Sequence, residues 1–269
     1  MKITKAILPV AGKGTRVMPL TLHQPKGMIA VADKPLVHHV IDELVMSGIK
    51  EVTIVMGPDQ IVFKKYLNYI AREHAWNSAK INFAVQNKPL GDGDAIYSAK
   101  KFIKKGEPFL VAFCDDIFSR AEKTLPKILD HFSKKQAPVV MLVEVPHNSV
   151  NKYGVVRIEE KINNIYSVAG IVEKPNISAA PSNLIMPGRY ALPYSIFGYL
   201  EKLYSSPRSP EVRLANALEL YINDFKKIWG FKTQNTRFDC GSKEGLIQAQ
   251  AHFASIHPYS QNFRRKTLK

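Results

Sequence analysis

The sequence predicts an α/β protein with a doubly wound, mostly parallel sheet. Short apolar runs alternate with helix-like patterns along the first half of the chain. Strands that alternate with helices are typical of right-handed βαβ units, whose strands run parallel. The chain has 269 residues, 45% of them hydrophobic and 10% aromatic, which is enough for a sizeable core. We therefore expect one domain over residues 1–269.

The elements can be placed in order along the chain. Residues 5–10 form an apolar strand, and the next segment has the i, i+3, i+4 spacing of a helix that stops at Gly48. Further strand patterns occur at 51–56, 81–85, 109–113 and 137–145, separated by helical patterns near 60–73, 93–104 and 123–134. The second half is less regular. It has strands or hairpins between 153 and 192, helices near 194–205 and 211–224, and a turn that leads into a final amphipathic helix.

Charge and composition exclude several classes of protein. The net charge of +15 is spread along the chain, without the basic patch or aromatic interleaving of a nucleic-acid-binding module. Its densest cluster is residues 262–269, within a basic C-terminal tail over 257–269, and we expect this cluster to be a solvated face. No signal peptide or membrane span is evident, and two cysteines are too few for a disulfide framework. We therefore expect a cytoplasmic protein with no nucleic-acid or membrane partner, acting on a small, highly charged anion.

A glycine loop follows the first strand. Gly12 and Gly14 allow a sharp turn that presents backbone N–H groups to an anion. Val17 stands where a dinucleotide fingerprint has its third glycine, and the Gly-Lys-Ser/Thr of a P-loop is missing. The alternative is a plain glycine turn. Arg16 and Lys26 favour the anion site, because an arginine fork and a lysine charge together with the loop amides could hold a triphosphate.

Polar residues also follow two other strands. Asp115 and Asp116 come directly after the strand at 109–113, and Glu173 and Lys174 follow a later apolar run. Ligands of open α/β sheets bind beyond the carboxyl ends of the strands, and paired carboxylates suit Mg²⁺. The alternatives are an ordinary turn with two aspartates and a solvated charge pair.

An ordered series of motifs resembles a known family. The series runs through nearly the whole chain as VAGKGTR, QPKGM, PLGDGDAI, CDDIF, YGVV, VEKP, APSNL, GRYAL and DCGSKEGLIQA. It resembles the sugar nucleotidyltransferases, and closely the bacterial UTP-glucose-1-phosphate uridylyltransferases. The resemblance implies a Rossmann-like mixed sheet of the nucleotidyltransferase (GT-A-like) type. It also implies a reaction of UTP with glucose 1-phosphate that yields UDP-glucose and pyrophosphate, in a homo-oligomer.

The resemblance also implies roles for the charged residues. Asp115 and Asp239 are expected to bind Mg²⁺, with Asp116 a weaker candidate. Arg16 is expected to meet the triphosphate and Lys26 to make a second phosphate contact. Lys174 corresponds to the lysine at the sugar phosphate. Cys114 and Cys240 each adjoin one of the aspartates, but soft thiolates do not suit Mg²⁺, so we expect both to be core residues.

The remaining candidates divide between a nucleotide half, about 1–150, and a sugar half, about 151–256. Gln86 aligns with the base-reading glutamine, its amide pairing with N3–H and O4 of uracil, although a flipped amide would serve cytosine. Ala11, Gly12 and Gly91 are expected to close on the ring through backbone atoms, with Gly14 in the phosphate loop. In the sugar half, Glu173 is expected to accept hydrogen bonds from two vicinal sugar hydroxyls, and Gly154 to let the backbone approach the sugar closely. Asn183 and Gly188 are weaker candidates for the same pocket.

Three residues depart from the family pattern. Gly27 replaces the usual glutamate, and Asp92 and Asp94 stand in the usual Gly-Leu-Gly-His. Two extra acids could repel phosphate or cap the next helix, for which Asp92 is well placed. These departures leave open a relative that uses dTTP, CTP or another hexose 1-phosphate. A catalytically silent paralogue that binds nucleotide sugar is the alternative from another class.

Overall fold

The computed structural model describes residues 1–73, 76, 79–119, 122–205 and 211–259. Residues 260–269, most of the predicted basic tail, lie outside the described residues. None of the helices in these ranges is long and apolar enough to cross a membrane.

The described residues form strands and helices that alternate through most of the first half. The strands are β1 Lys5–Pro9, β2 Ala30–Val31, β3 Lys34–Pro35, β4 Glu51–Met56, β5 Lys80–Val85, β6 Phe109–Ala112, β7 Asp116–Phe118, β8 Val139–Glu144, β9 Gly154–Ile162, β10 Ile165–Glu173, β11 Leu184–Ile185, β12 Arg189–Leu192, β13 Ile228–Lys232 and β14 Arg237–Asp239. The α-helices are α1 Leu36–Met46, α2 Val62–Glu73, α3 Asp92–Ser98, α4 Thr124–Lys135, α5 Ile196–Tyr204, α6 Leu214–Asn223 and α7 Lys243–Ile256.

Ten of these strands form one mixed sheet in the order β11-β9-β10-β13-β8-β12-β6-β1-β4-β5. The side from β6 through β1 and β4 to β5 is parallel, as is the β8–β13 pair. Strand β12 runs antiparallel between β6 and β8, and the β9–β10 hairpin extends the other side. The sheet therefore takes strands from both halves of the chain.

Helices cover both faces of the sheet. Ala6 and Leu8 of β1 pack into the core on the side of α1, α2, α4 and α7, whereas Ile7 packs on the side of α3, α5 and α6. This alternation follows from the two-residue period of a strand. Because β1 is covered on both faces, all three residues are apolar, and the strand is a continuous apolar run in the sequence.

The predicted mixed α/β sheet is confirmed, but the prediction of a mostly parallel sheet is wrong for the described strands taken together. Antiparallel pairings outnumber parallel ones, because β12 and the hairpin strands enter the sheet reversed. The helix predicted near 93–104 ends earlier, at Ser98, where a separate 3₁₀ turn begins at Lys100. Part of the predicted turn before the last helix is the short strand β14, which pairs with β7.

A buried arginine joins the sheet to the loop after β6. Arg189, at the start of β12, has no exposed surface, and its guanidinium lies 5.2 Å from the centre of the Phe118 ring. It donates to Glu43 of α1 at 2.7 and 3.2 Å. It also donates to the carbonyl oxygens of Phe113, Gly188 and Asp116 at 2.9 to 3.1 Å. All five N–H groups of this guanidinium therefore have acceptors.

Replacing this guanidinium with an apolar chain is expected to destabilise the fold strongly. Arg189→Met should lower the free energy of unfolding by about 3–5 kcal/mol, because Glu43 and three carbonyl oxygens lose their buried partner. Urea unfolding followed by circular dichroism measures the loss. The control is Arg72→Met on the exposed face of α2, expected to change stability by less than about 0.5 kcal/mol. Equal stabilities of the two variants would contradict this role for Arg189.

Candidate active site

A cavity of about 420 Å³ opens where the polar segments after the strands meet. It runs past the glycine loop, the Asp115 segment and the end of β10. Its lining includes most of the site residues that the sequence predicts, namely Ala11, Gly12, Arg16, Lys26, Gln86, Gly91, Asp115, Gly154, Glu173 and Asp239. The chain thus brings residues from positions 11 to 239 into one cavity.

The glycine loop forms one wall of this cavity. Gly14 has φ of +64°, and a Cβ there would lie 2.8 Å from Thr21 Cγ2 and 3.0 Å from Lys26 Cβ, so only glycine fits. A Cβ on Gly12 would meet nothing within 4 Å. In the part of the chain that the structure describes, the N–H groups of Ala11, Gly12 and Lys13 have no hydrogen-bond acceptor. The loop can therefore donate several hydrogen bonds to an anion.

Lys26 and Asp115 form an ion pair at the cavity wall. Lys26 Nζ donates to Asp115 Oδ2 at 2.6 Å. Burial by itself would raise the pKa of Asp115, but the ammonium of Lys26 outweighs it and holds that pKa below its usual value. Burial likewise opposes the charge on Lys26, yet Asp115 raises the pKa of the lysine. Both groups are therefore ionised near neutral pH.

Three charged side chains converge beside Gly241. The position that a Cβ atom would take on Gly241 lies 2.7 Å from Arg16 Nη2, 2.9 Å from Asp115 Oδ2 and 2.9 Å from Asp239 Oδ1. The two aspartates reach this point from different segments, whose backbones are joined by the Cys240 N–H, which donates to Asp115 O at 2.8 Å. Glycine at 241 therefore leaves room where these three groups meet.

The two aspartates also fit the chemistry of a divalent cation such as Mg²⁺, which takes a few carboxylates together with substrate phosphate oxygens. Within the described residues no group of three or more His, Cys, Asp or Glu side chains forms a metal site. Asp115 and Asp239 could therefore supply two oxygen ligands to such a cation, with substrate supplying others. The neighbouring thiols are soft ligands that do not suit Mg²⁺, and burial raises the pKa of Cys114 to about 12 and that of Cys240 further still.

Asp116 pairs with Arg237, whose Nη2 also lies 3.5 Å from Asp239 Oδ2. Asp116 Oδ1 accepts from Arg237 Nε, and its Oδ2 accepts from the Gly188 N–H at 3.0 Å. Arg237 lies 4.6 Å from the centre of the Tyr153 ring, and the Tyr153 hydroxyl donates to Asp239 Oδ2 at 2.8 Å. Asp116 therefore holds Arg237 and the Gly188 backbone, while Tyr153 orients Asp239.

The sequence interpretation missed Arg237 and Tyr153, although both line the cavity. A signal for Arg237 was present, because it stands two residues before Asp239 and side chains at i and i+2 share one face of a strand. Tyr153 is adjacent to the predicted Gly154, but no sequence pattern distinguishes it from a core tyrosine.

Gln86 and Gly91 lie together at one end of the cavity. Gln86 is buried, and its Nε2 donates to Gly91 O at 2.9 Å and to Asp94 Oδ2 at 2.7 Å. Gly91 has φ of +116°, and a Cβ there would lie 2.3 Å from Val212 O. Both N–H groups of the Gln86 amide therefore already have acceptors in the protein. Its pairing with both N3–H and O4 of a uracil stays a prediction, and it requires O4 to replace one of these acceptors.

Asp92 does not cap the helix that the sequence suggested. Gly91 is the N-cap of α3, and Asp92 is the first residue of that helix. Its Oδ1 instead accepts from the Leu214 N–H at 2.9 Å, at the start of α6. Burial raises the pKa of Asp92. The expectation that Asp92 caps the next helix is therefore wrong, and its carboxylate instead accepts from the first N–H of α6, a helix distant in sequence.

Glu173 and Gly154 lie in the sugar half of the cavity. Glu173 Oε1 accepts from Arg213 Nη1 at 2.8 Å, an ion pair that the sequence interpretation missed. A Cβ on Gly154 would lie 3.0 Å from Glu173 Oε2, so glycine leaves this oxygen accessible. Arg213 and Glu173 are 40 residues apart, and no local pattern connects them.

Several predicted residues lie outside the cavity wall. Lys174 is half-exposed, and its Nζ is 4.0 Å from Glu173 Oε1. The lysine among the residues that line the cavity near this end is Lys152. Gly14 is not among the residues that line the cavity, and its positive φ provides the turn of the glycine loop. Asn183 Oδ1 pairs with the His147 ring at 2.8 Å, away from the site. Gly188, the other weak sugar candidate, lines the cavity.

Comparison with known proteins places this geometry in a family. The nucleotidyl transferase family model matches residues 5–255. The UTP–glucose-1-phosphate uridylyltransferase 1 of Staphylococcus saprophyticus is 33% identical, with 96% of this chain and 95% of the relative covered. The UTP–glucose-1-phosphate uridylyltransferase of Bacillus subtilis is 31% identical, covering 94% of this chain and 91% of the relative.

Solved structures of similar fold have the same type of activity in their names as these relatives. A UDP-glucose pyrophosphorylase in complex with UDP-glucose has a TM-score of 0.86 and 30% identity, with 95% of this chain and 100% of the other covered. A UTP-bound UGPase from Acinetobacter baumannii has a TM-score of 0.85 and 30% identity, with 99% of each chain covered. The family match over nearly the whole chain and these relatives agree with one another. This chain belongs to the nucleotidyl transferase family.

Proposed function

We propose that the protein transfers a uridylyl group from UTP to glucose 1-phosphate, forming UDP-glucose and pyrophosphate. The observation that carries the proposal is the meeting of Arg16, Asp115 and Asp239 within 3 Å of one point beside Gly241. A cation and two carboxylates at one point suit phosphoryl chemistry, in which positioning and charge neutralisation provide most of the catalysis. The activities named for the similar proteins support the choice of UTP and glucose 1-phosphate.

The nucleotide occupies the end of the cavity bounded by the glycine loop and Gln86. The N–H groups of Ala11, Gly12 and Lys13 donate to the phosphates, and Arg16 draws negative charge toward the leaving pyrophosphate. Lys26, paired with Asp115 in the substrate-free protein, turns to a phosphate oxygen when the nucleotide binds. Gln86 and the backbone of Gly91 meet the edge of the base.

The reaction is an in-line substitution at the α-phosphorus of UTP. A phosphate oxygen of glucose 1-phosphate forms a bond to this phosphorus, and the bond to the bridging oxygen of pyrophosphate breaks. A phosphate monoester has its second pKa near 6, so the nucleophile is already ionised at neutral pH and no general base is needed. The residues of this chain bring two polyanions together and hold them in line.

Asp115 and Asp239 would hold a divalent metal, which we propose is Mg²⁺. When bound, this ion neutralises phosphate charge and orients the oxygens of the triphosphate. Tyr153 keeps Asp239 oriented through its hydrogen bond, and the departure of Lys26 to a phosphate oxygen leaves Asp115 Oδ2 available to the metal.

The sugar phosphate occupies the half of the cavity around Gly154 and Glu173. Glu173 accepts hydrogen bonds from two neighbouring hydroxyls, one carboxylate oxygen being held by Arg213. Lys174 reaches the sugar phosphate from the rim, where its long side chain is half-exposed.

Loss of either metal carboxylate is expected to abolish most turnover while the fold survives. Asp115→Asn and Asp239→Asn should each lower kcat by about two orders of magnitude or more, because an amide is a poor ligand for Mg²⁺. Pyrophosphate release measures kcat, and binding of Mn²⁺ followed by electron paramagnetic resonance measures the metal directly. The matched control is Asp59→Asn, an exposed acid in the turn after β4. Near-normal turnover in both variants, or full activity in EDTA, would refute this metal site.

Arg16 and Lys174 are expected to act on different substrates. Arg16→Met should lower kcat with UTP, whereas Lys174→Met should raise KM for glucose 1-phosphate, each variant losing a charge-assisted contact of about 1.5–3 kcal/mol. Steady-state kinetics with each substrate varied in turn separates the two effects. Lys134→Met, on the exposed face of α4, is the control. The division of roles fails if both variants show the same defect toward both substrates, or if only Lys152→Met raises KM for the sugar phosphate.

Glu173 is expected to determine which hexose 1-phosphate reacts. Mannose 1-phosphate misplaces one hydroxyl and leaves the carboxylate partly unpaired, at a cost of about 1–3 kcal/mol. Glucose 1-phosphate should therefore be preferred in kcat/KM, and Glu173→Ala should reduce this preference together with the rate. Competition between the two sugar phosphates, with products separated by chromatography, gives the ratio. A preference unchanged by Glu173→Ala would remove this residue from the sugar site.

A further inference from the structure

The acid at position 94 has contacts that the proposed reaction does not use. Asp94 lies in the first turn of α3, and its Oδ2 accepts from Gln86 Nε2 at 2.7 Å. Its Oδ1 accepts from the hydroxyl of Tyr204, at the end of α5. The side chain therefore connects the base-reading amide to a helix on the same side of the sheet.

These contacts fix the orientation of the Gln86 amide. One N–H of Nε2 has Gly91 O as its acceptor at 2.9 Å, and the other has Asp94 Oδ2. A backbone carbonyl and a carboxylate oxygen offer no proton to this amide, so exchanging its oxygen and nitrogen would set oxygen against oxygen at both positions. Gln86 Oε1 receives no hydrogen bond from the described residues and is the polar atom that the amide offers to a ligand.

An amide that offers only oxygen distinguishes the pyrimidines. Uracil carries a proton on N3 and can donate to Gln86 Oε1, whereas N3 of cytosine is an acceptor and would meet that oxygen with like charge. A glutamine free to rotate would accept either base, because it could present nitrogen instead. The selectivity therefore depends on what prevents rotation of the amide.

We infer that Asp94 is a positioning residue that fixes the Gln86 amide and thereby makes the site select uracil over cytosine. This inference rests on the proposed function, since it assigns the base specificity of the same nucleotide site. Asp94 does not touch the base; it acts through Gln86. Gly91 O holds the amide from one side, and Asp94 holds it from the other.

Tyr204 supports the carboxyl group of Asp94. Its ring makes an edge contact with the Tyr97 ring at 5.4 Å between centroids, which limits its movement. Burial and the hydrogen bond to Asp94 raise the pKa of the Tyr204 hydroxyl, so it remains a donor at neutral pH. The Asp94 oxygen that faces Tyr204 is thereby occupied, and the other oxygen is directed to Gln86.

The test compares UTP with CTP as the nucleotide for glucose 1-phosphate, using the full chain with Mg²⁺. Asp94→Ala should reduce the UTP:CTP ratio of kcat/KM about tenfold, because one of two acceptors that hold the amide is lost. Asp94→Asn should keep the ratio within about threefold, since the asparagine oxygen can accept from Gln86 while its nitrogen donates to the Tyr204 oxygen. Rescue by asparagine separates positioning of the amide from an effect of negative charge.

Two further variants complete the set. Tyr204→Phe leaves Gln86 and Asp94 in place and should reduce the ratio about two- to threefold, which provides a second reading if Asp94→Ala folds poorly. Asp130→Ala removes an exposed acid of α4 that is paired with Lys134 and should change neither nucleotide's kinetics. Calorimetric binding of UMP and CMP gives the same ratio without turnover.

The outcomes separate this inference from the proposed function. A wild-type enzyme that uses UTP well, with a UTP:CTP ratio unchanged in Asp94→Ala and Tyr204→Phe, overturns the role of Asp94 and leaves the reaction standing. A protein that makes no UDP-glucose overturns the proposed function, while the UMP and CMP affinities still decide whether Asp94 sets the base preference. A lower ratio in Asp94→Ala that asparagine restores supports the inference.

Discussion

The buried guanidinium of Arg189 is the interaction on which the rest of the site depends. A buried charge is stable only when it is paired and hydrogen-bonded. Its five N–H groups are accepted by Glu43 and by the carbonyls of Phe113, Asp116 and Gly188. Two of these carbonyls enclose Asp115 in the sequence. The backbone that presents this carboxylate is therefore held from inside the core.

The site surrounding this anchor contains opposite charges that neutralise one another until substrate arrives. Lys26 pairs with Asp115, Arg237 with Asp116, and Arg213 with Glu173. Under the proposed function, an incoming polyanion would replace a carboxylate as the partner of a cation, so that binding would exchange one ion pair for another. The overall charge of +15 favours approach of such a substrate from solution.

Elements that are specified by nearby residues were predictable from the sequence, whereas the pairing and direction of strands were not. Strand β4, Glu51–Met56, agrees residue for residue with its apolar run, and helix α1 ends before Gly48, whose φ of +92° suits glycine. The direction of β12 was not predictable. Its residues read as a strand in either direction, and it is antiparallel only because it enters the sheet between β6 and β8. Periodicity identifies a strand but contains no information about its neighbours.

For the site, the sequence by itself determined the types of residue that follow each strand: the glycine loop with Arg16, the carboxylates of Asp115 and Asp239, and Gln86. Tertiary structure decided how they are used. It brought the Asp92 carboxylate to the N–H of Leu214 at the start of α6, 122 residues away. It also paired Arg213 with Glu173, 40 residues away. It also turned Gln86 so that Asp94 and Gly91 take its N–H groups. The physical reason is that a hydrogen bond depends on the direction and distance of both partners, which only the folded chain defines.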